Sequence, residues 1–228
     1  MGARDAGADR PPEDDDTPKA HPAHAAPSGT NPDGEAGTGR PERRFAFLLV
    51  AAGVIGWLAS GQLVLERLAL YADPGYVTSC DLNPWISCGE VFRTEQAAVF
   101  GFPNPLIGLV AFAVVITTGM ALLAGAELRR WYWLGLQAGT VLGAAFTLWL
   151  WFQALFVISI LCIYCMVVWV VMIVLTVHLT ARNAASGVLP VPPRTARLLA
   201  EWSWVLVALL VVAGAASVFL RFAGALLG

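Results

Sequence analysis

Four long stretches of the chain, 45–65, 96–126, 131–177 and 202–220, contain no Asp, Glu, Lys or Arg. A helix rises 1.5 Å per residue and needs about 20 apolar residues to cross a bilayer, so the third stretch has room for two crossings and the total is five. Hydrocarbon offers no water to backbone N–H and C=O groups, and helices satisfy their own. The fold class is therefore an all-α integral membrane protein. A net charge of −2 gives no argument for a nucleic-acid partner.

Arginine placement sets the expected orientation. Arg40, Arg43 and Arg44 precede the first span, Arg129 and Arg130 separate the second from the third, and Arg182, Arg194 and Arg197 lie between the fourth and fifth. The other side carries Arg67, Arg93 and Arg221. The positive-inside rule then puts the N-terminus in the cytoplasm and the 67–104 loop outside. Thirteen Arg against the single Lys19, with abundant Ala and Gly, suggests a high-GC bacterial genome and hence a bacterial plasma membrane.

The expected organisation follows. Residues 1–44, with Asp14-Asp15-Asp16, seven prolines and almost no large apolar side chain, form a disordered cytoplasmic tail. His21 and His24 fall in that tail as solvated residues rather than metal ligands. Spans are expected at about 45–65, 105–126, 131–156 and 159–181, followed by a Pro-rich cytoplasmic linker at 183–200 and a fifth span at 201–228 with no soluble domain after it. The first span is read as a retained helix rather than a signal peptide, given the polar leader before it. Trp131, Tyr132 and Trp133 are expected as interface anchors. The turn before the fourth span is expected at 157–159, with Ser159 as its N-cap and Cys162 in the first helical turn. Asn104 before Pro105 fits an N-cap followed by Pro at the first helical position.

The four cysteines divide into two pairs: Cys80 and Cys88 in the polar loop, and Cys162 and Cys165 in an apolar run. Residues three apart share a helix face at about 5–6 Å between Cβ atoms, so Cys162 and Cys165 can cycle between dithiol and disulfide. A helix N-terminus favours the thiolate that attacks in exchange. The bland alternatives are two small buried hydrophobes in the membrane and one structural disulfide in the loop, as in a non-catalytic membrane scaffold. Four cysteines allow three pairings, and spacing does not choose among them. A four-thiolate zinc site fits neither the loop spacing nor membrane burial, so no metal is expected. Nothing in the spans resembles a haem, flavin or iron–sulfur site: His178 is their single histidine, near the cytoplasmic end of the fourth. A lipid-soluble quinone is the simplest two-electron acceptor, with an extracytoplasmic dithiol as donor.

The motif Cys80-Asp81-Leu82-Asn83-Pro84-Trp85-Ile86-Ser87-Cys88-Gly89, then Phe100-Gly101 and Asn104, then Cys162-Ile163-Tyr164-Cys165, resembles the bacterial form of the vitamin K epoxide reductase family over about 45–182. The resemblance implies a four-helix bundle around a quinone pocket, with the fifth span as an addition. It implies that Cys165 lies nearest the quinone, that Cys162 exchanges with Cys88, and that Cys80 meets the external partner. It gives Asn104 a hydrogen bond to a quinone carbonyl and places Thr94 at a loop position that carries Ser or Thr in relatives. Trp169 stands where some relatives have a pocket Tyr, one helical turn after Cys165. The implied acceptor is menaquinone or a related naphthoquinone, and the implied partner is a separate thioredoxin-fold protein that oxidises secreted proteins.

Overall fold

The computed structural model describes residues 39–227, so most of the expected tail, with His21 and His24, lies outside the described residues. Within them the chain is almost entirely helical: α1 (Gly39–Ala72), the short α2 (Cys88–Phe92), α3 (Pro105–Leu123), α4 (Arg130–Gln153), α5 (Ile163–Ala185) and α6 (Pro193–Leu227). A 3₁₀ turn (Glu95–Ala98) follows α2, and a π turn (Ala154–Ile158) ends α4. Five of these helices are long and apolar enough to cross a membrane, and the chain is a multi-pass membrane protein.

The long helices overrun the charge-free stretches because charge does not stop a helix. α1 extends past the expected 45–65 at both ends and continues through Glu66 and Arg67. It stops at Ala72, where Asp73 closes an Asx turn by accepting the Gly75 N–H at 2.9 Å. The expected 183–200 linker contracts to 186–192, because Pro193 sits at the first position of α6, where a missing N–H costs nothing. The turn before α5 also departs from expectation. Ser159 is not an N-cap but adopts the left-handed conformation, at φ 56°, and Cys162 caps α5 in its place.

α1 and α3 form the closest pair, through small residues that let backbones approach, as membrane helices do where no hydrophobic force draws them together. A Cβ on Gly56 would lie 2.6 Å from the Phe112 ring. α5 sits centrally, against α1, α4 and α6. Leu49, Phe112, Val115, Val171 and Leu175 make the core where α1, α3 and α5 meet. At the end away from the cysteines, Asn183 donates to Gln137 at 3.0 Å and Gln137 donates to Thr180 at 2.9 Å, pinning α4 to α5. Trp131, 68% exposed, suits an interface anchor, whereas Trp133 at 3% is core, with the Arg182 guanidinium 3.5 Å above its ring. By contrast α3 and α4 stand apart over most of their length. Near the end away from the cysteines, the Thr118 and Tyr132 hydroxyls bridge them at 2.6 Å.

Candidate functional site

The loop between α1 and α3 is folded around one carboxylate. Asp81 accepts the Thr78 N–H at 2.7 Å, the Ser87 hydroxyl at 2.6 Å and the Gly89 N–H at 3.0 Å. Burial pushes the Asp81 carboxyl up, but the bonds from Ser87, Gly89 and Thr78 outweigh it and hold the group below the usual carboxylate range. Ser87 in turn accepts the Glu90 N–H at 3.0 Å and caps α2. Cys80 and Cys88 are thereby held at the two ends of one ordered ring, and they form a disulfide with Cα atoms 5.6 Å apart. Of the pairings open to the sequence, the structure has the loop half of the within-pair set, with Cys162 and Cys165 as free thiols.

A two-bond backbone bridge carries the ring to the membrane pair. The Leu161 N–H donates to the Trp85 carbonyl at 2.8 Å, and the Ser87 N–H donates to the Leu161 carbonyl at 3.0 Å. Cys88 follows Ser87 and Cys162 follows Leu161, so the bridge sets their sulfurs side by side, 3.2 Å apart. Because Cys88 is already bonded to Cys80, the thiol proton in this contact belongs to Cys162. The Cys80, Cys88 and Cys162 sulfurs all lie within 4.8 Å of one another. The Cys162 sulfur also accepts the Cys165 N–H at 3.4 Å, as a side-chain cap on α5.

All three clustered cysteines are shielded: Cys80 is 2% exposed, Cys88 0% and Cys162 3%. They pack with Leu63, Leu70 and Phe92. Over Cys80 the chain is held down by Glu66, whose carboxylate oxygens each lie 3.3 Å from the Ser79 nitrogen, and by Tyr164, whose hydroxyl meets that of Ser79 at 3.1 Å.

Below the sulfurs, a cavity of about 500 Å³ fills the gap between α3 and α4 and is closed by α1, α5 and the loop. Cys162 and Cys165 both line it, and so do Thr94, Asn104 and Trp169. The Thr94 hydroxyl donates to the Val91 carbonyl at 2.7 Å. Trp169 lies almost parallel to Trp151, with rings 5.0 Å apart and 8° between planes. Asn104 holds the N-cap position of α3 with Pro105 after it, as expected, but its side chain makes no capping bond. Its backbone is already helical, and the N–H groups of Leu106 and Ile107 that a cap would take bond to the carbonyls of Pro103 and Asn104. Its amide instead donates to the Gln96 carbonyl at 2.6 Å and accepts the Val99 N–H at 3.1 Å.

The structure thus brings all seven expected site residues to one end of the bundle. Sequence reading missed Asp81 as organiser of the loop, although an acid beside the first cysteine and a serine beside the second was a usable sign. It had no sign for the Leu161 bridge, which joins α5's start to Trp85 and Ser87, far back in the chain.

A disulfide and a dithiol in contact at the mouth of an apolar cavity, inside a bundle of membrane helices, define a membrane thiol–disulfide oxidoreductase. No match was found among curated proteins. Residues 47–180, more than half of the chain, match the model of the vitamin K epoxide reductase family, and the chain belongs to that family, whose members are quinone-linked.

Proposed function

We propose that the protein reoxidises a thioredoxin-fold dithiol protein outside a bacterial plasma membrane and delivers the electrons to a quinone, with menaquinone or a related naphthoquinone as acceptor. The observation that carries this reading is the row of sulfurs: Cys88 and Cys162 are 3.2 Å apart, and Cys165 opens on the cavity. In the first step a partner thiolate attacks Cys80 and Cys88 leaves. The second partner thiol then releases the partner as a disulfide, so two electrons and two protons have moved to Cys80 and Cys88. Next the Cys88 thiolate attacks Cys162 of an oxidised Cys162–Cys165 pair, and Cys165 leaves. Attack by Cys80 on Cys88 then restores the loop disulfide and leaves the membrane pair reduced. That product has the same redox arrangement as the described protein.

The cavity suits a quinone by its volume, by its apolar walls with a few polar groups, and by its position between α3 and α4, where a lipid-soluble molecule has a lateral way in. A bound quinone takes up the two electrons and two protons. Asn104 would hold its head group through the second hydrogen of its amide, since Gln96 takes only one. Thr94 and Trp169 complete that end of the wall. Cys162 accepts a backbone N–H at a helix N-terminus, which favours its thiolate.

The test is quinone reduction by purified protein supplied with a reduced thioredoxin-fold dithiol, comparing wild type with Cys80→Ala and Cys165→Ala. Turnover is expected to vanish in both variants while the protein still inserts. Full turnover in Cys165→Ala would refute the relay, and a wild type inactive with several quinones and dithiols would favour a membrane scaffold with one structural disulfide.

A further inference from the structure

α6 lies beyond residue 180, where the family match ends, yet it reaches the redox centre. Near its end Arg221 donates from Nε to the Leu155 carbonyl and from a terminal nitrogen to the Ser159 hydroxyl, both at 3.0 Å. These are the demands of the turn that ends α4. Its last carbonyls have no partner within their own helix, and a guanidinium near them meets the negative end of the helix dipole. Ser159 is the only non-glycine residue with positive φ among the described residues, a conformation that costs energy unless its surroundings hold it. The adjacent Phe222 packs with Leu155, Leu161 and Trp169.

Two residues beyond Ser159 stands Leu161, the bridge to Trp85 and Ser87, and next to it Cys162. We propose that Arg221 is a positioning residue that registers Cys162 against Cys88, by fixing the left-handed turn at Ser159 from which the bridge and the α5 cap are built. Arg221 touches neither sulfur, and it acts through the backbone. A planar fork reaches both oxygens at once, whereas lysine offers donors from a single atom. The inference rests on the relay reading, since it presumes that Cys88 and Cys162 exchange.

The experiment isolates that contact. In a Cys80→Ala/Cys165→Ala parent, only Cys88 and Cys162 remain, and glutathione disulfide oxidises them to one intramolecular Cys88–Cys162 disulfide with release of two glutathione thiols. The fraction crosslinked at equilibrium across glutathione ratios gives a constant for their proximity, read by thiol alkylation without quinone or partner. R221M, which keeps the aliphatic stem, is expected to lower that constant about tenfold, the scale of losing a charge-assisted pair of hydrogen bonds. R221K is expected to fall between R221M and the parent, and R194M, at the far end of α6, to match the parent. Melting in detergent is read for each, so that unfolding is separated from misplacement. Should R221M fail to fold, R221K decides alone. A folded R221M, or failing that R221K, with the parent's constant overturns the inference and leaves the relay standing. A parent that does not crosslink overturns the relay, and the inference with it.

Discussion

Asp81 shows how much of the site rests on one side chain. Its carboxylate accepts three donors that come from both ends of the cysteine ring. In Asp81→Asn one oxygen becomes an NH₂ group and a donor then faces a donor, at a cost of about 1–3 kcal/mol for a buried group left unmade. The loop is expected to loosen, with faster reduction of Cys80–Cys88 by dithiothreitol as the readout; an unchanged rate would show that the ring holds without this hub. The pH dependence has a defined sign. Because the folded-state pKa of Asp81 is lowered, its contribution is complete above the unfolded-state value of about 3.9 and is lost as pH falls through the lower folded value. Loop protection of the disulfide should therefore be flat from neutrality to about pH 5 and weaken only in stronger acid, as alkylation after acid pulses would report. Glu66 works on the same loop from α1. Glu66→Ala frees the Ser79 N–H and should make Cys80 more accessible, so that a thioredoxin-fold dithiol reduces the loop disulfide several-fold faster than in wild type. An equal rate would mean that the partner reaches Cys80 without moving residues 76–80.

At the scale of elements, the crossings were legible because a charge inside hydrocarbon is costly, so their absence over 45–65, 131–177 and the rest marks the membrane part of each helix. Helix ends were not, since α1 runs on through Glu66 and Arg67, whose charges do not stop a helix. Ser159 was misread as a cap, and Asn104 keeps the cap position without the capping bond, for a related reason. Capping depends on where the backbone turns helical and on what else the side chain can reach: Arg221, remote in sequence, at the first, and the nearby Gln96 and Val99 at the second. The α1–α3 seam makes its own prediction. Gly56→Val pushes a branched side chain into the Phe112 ring and should cost about 1–3 kcal/mol through overpacking. Lower thermal stability in detergent is the expected result, and an unchanged melting temperature would show that the two helices separate freely.

At the scale of the whole molecule, the bundle sets a buried sulfur cluster and an apolar cavity side by side, and they meet at Cys162 and Cys165. The Cys80, Cys88 and Cys162 sulfurs lie under the loop, shielded from water, and the cavity lies below them, between helices that leave a gap rather than pack. The α4 wall of that gap is unusually bare: Gly135, Gly139 and Gly143 recur every four residues along one face, and each lines the cavity. A Cβ on Gly139 would meet nothing within 4 Å. A large side chain there has room to enter without displacing the core, and an exposed glycine in a helix is a poor helix former to begin with. Gly139→Phe is therefore expected to leave insertion and thermal stability intact, and to leave the Cys88–Cys162 crosslink unchanged. Its ring occupies the space that the proposed acceptor needs. Quinone reduction should fall at least tenfold, chiefly as a rise in KM for quinone, while the partner dithiol still reduces the loop disulfide in a single turnover. Loss of both activities together would mean that the cavity and the sulfur row are one mechanical unit. Full activity with the ring in place would move the electron acceptor out of this cavity altogether.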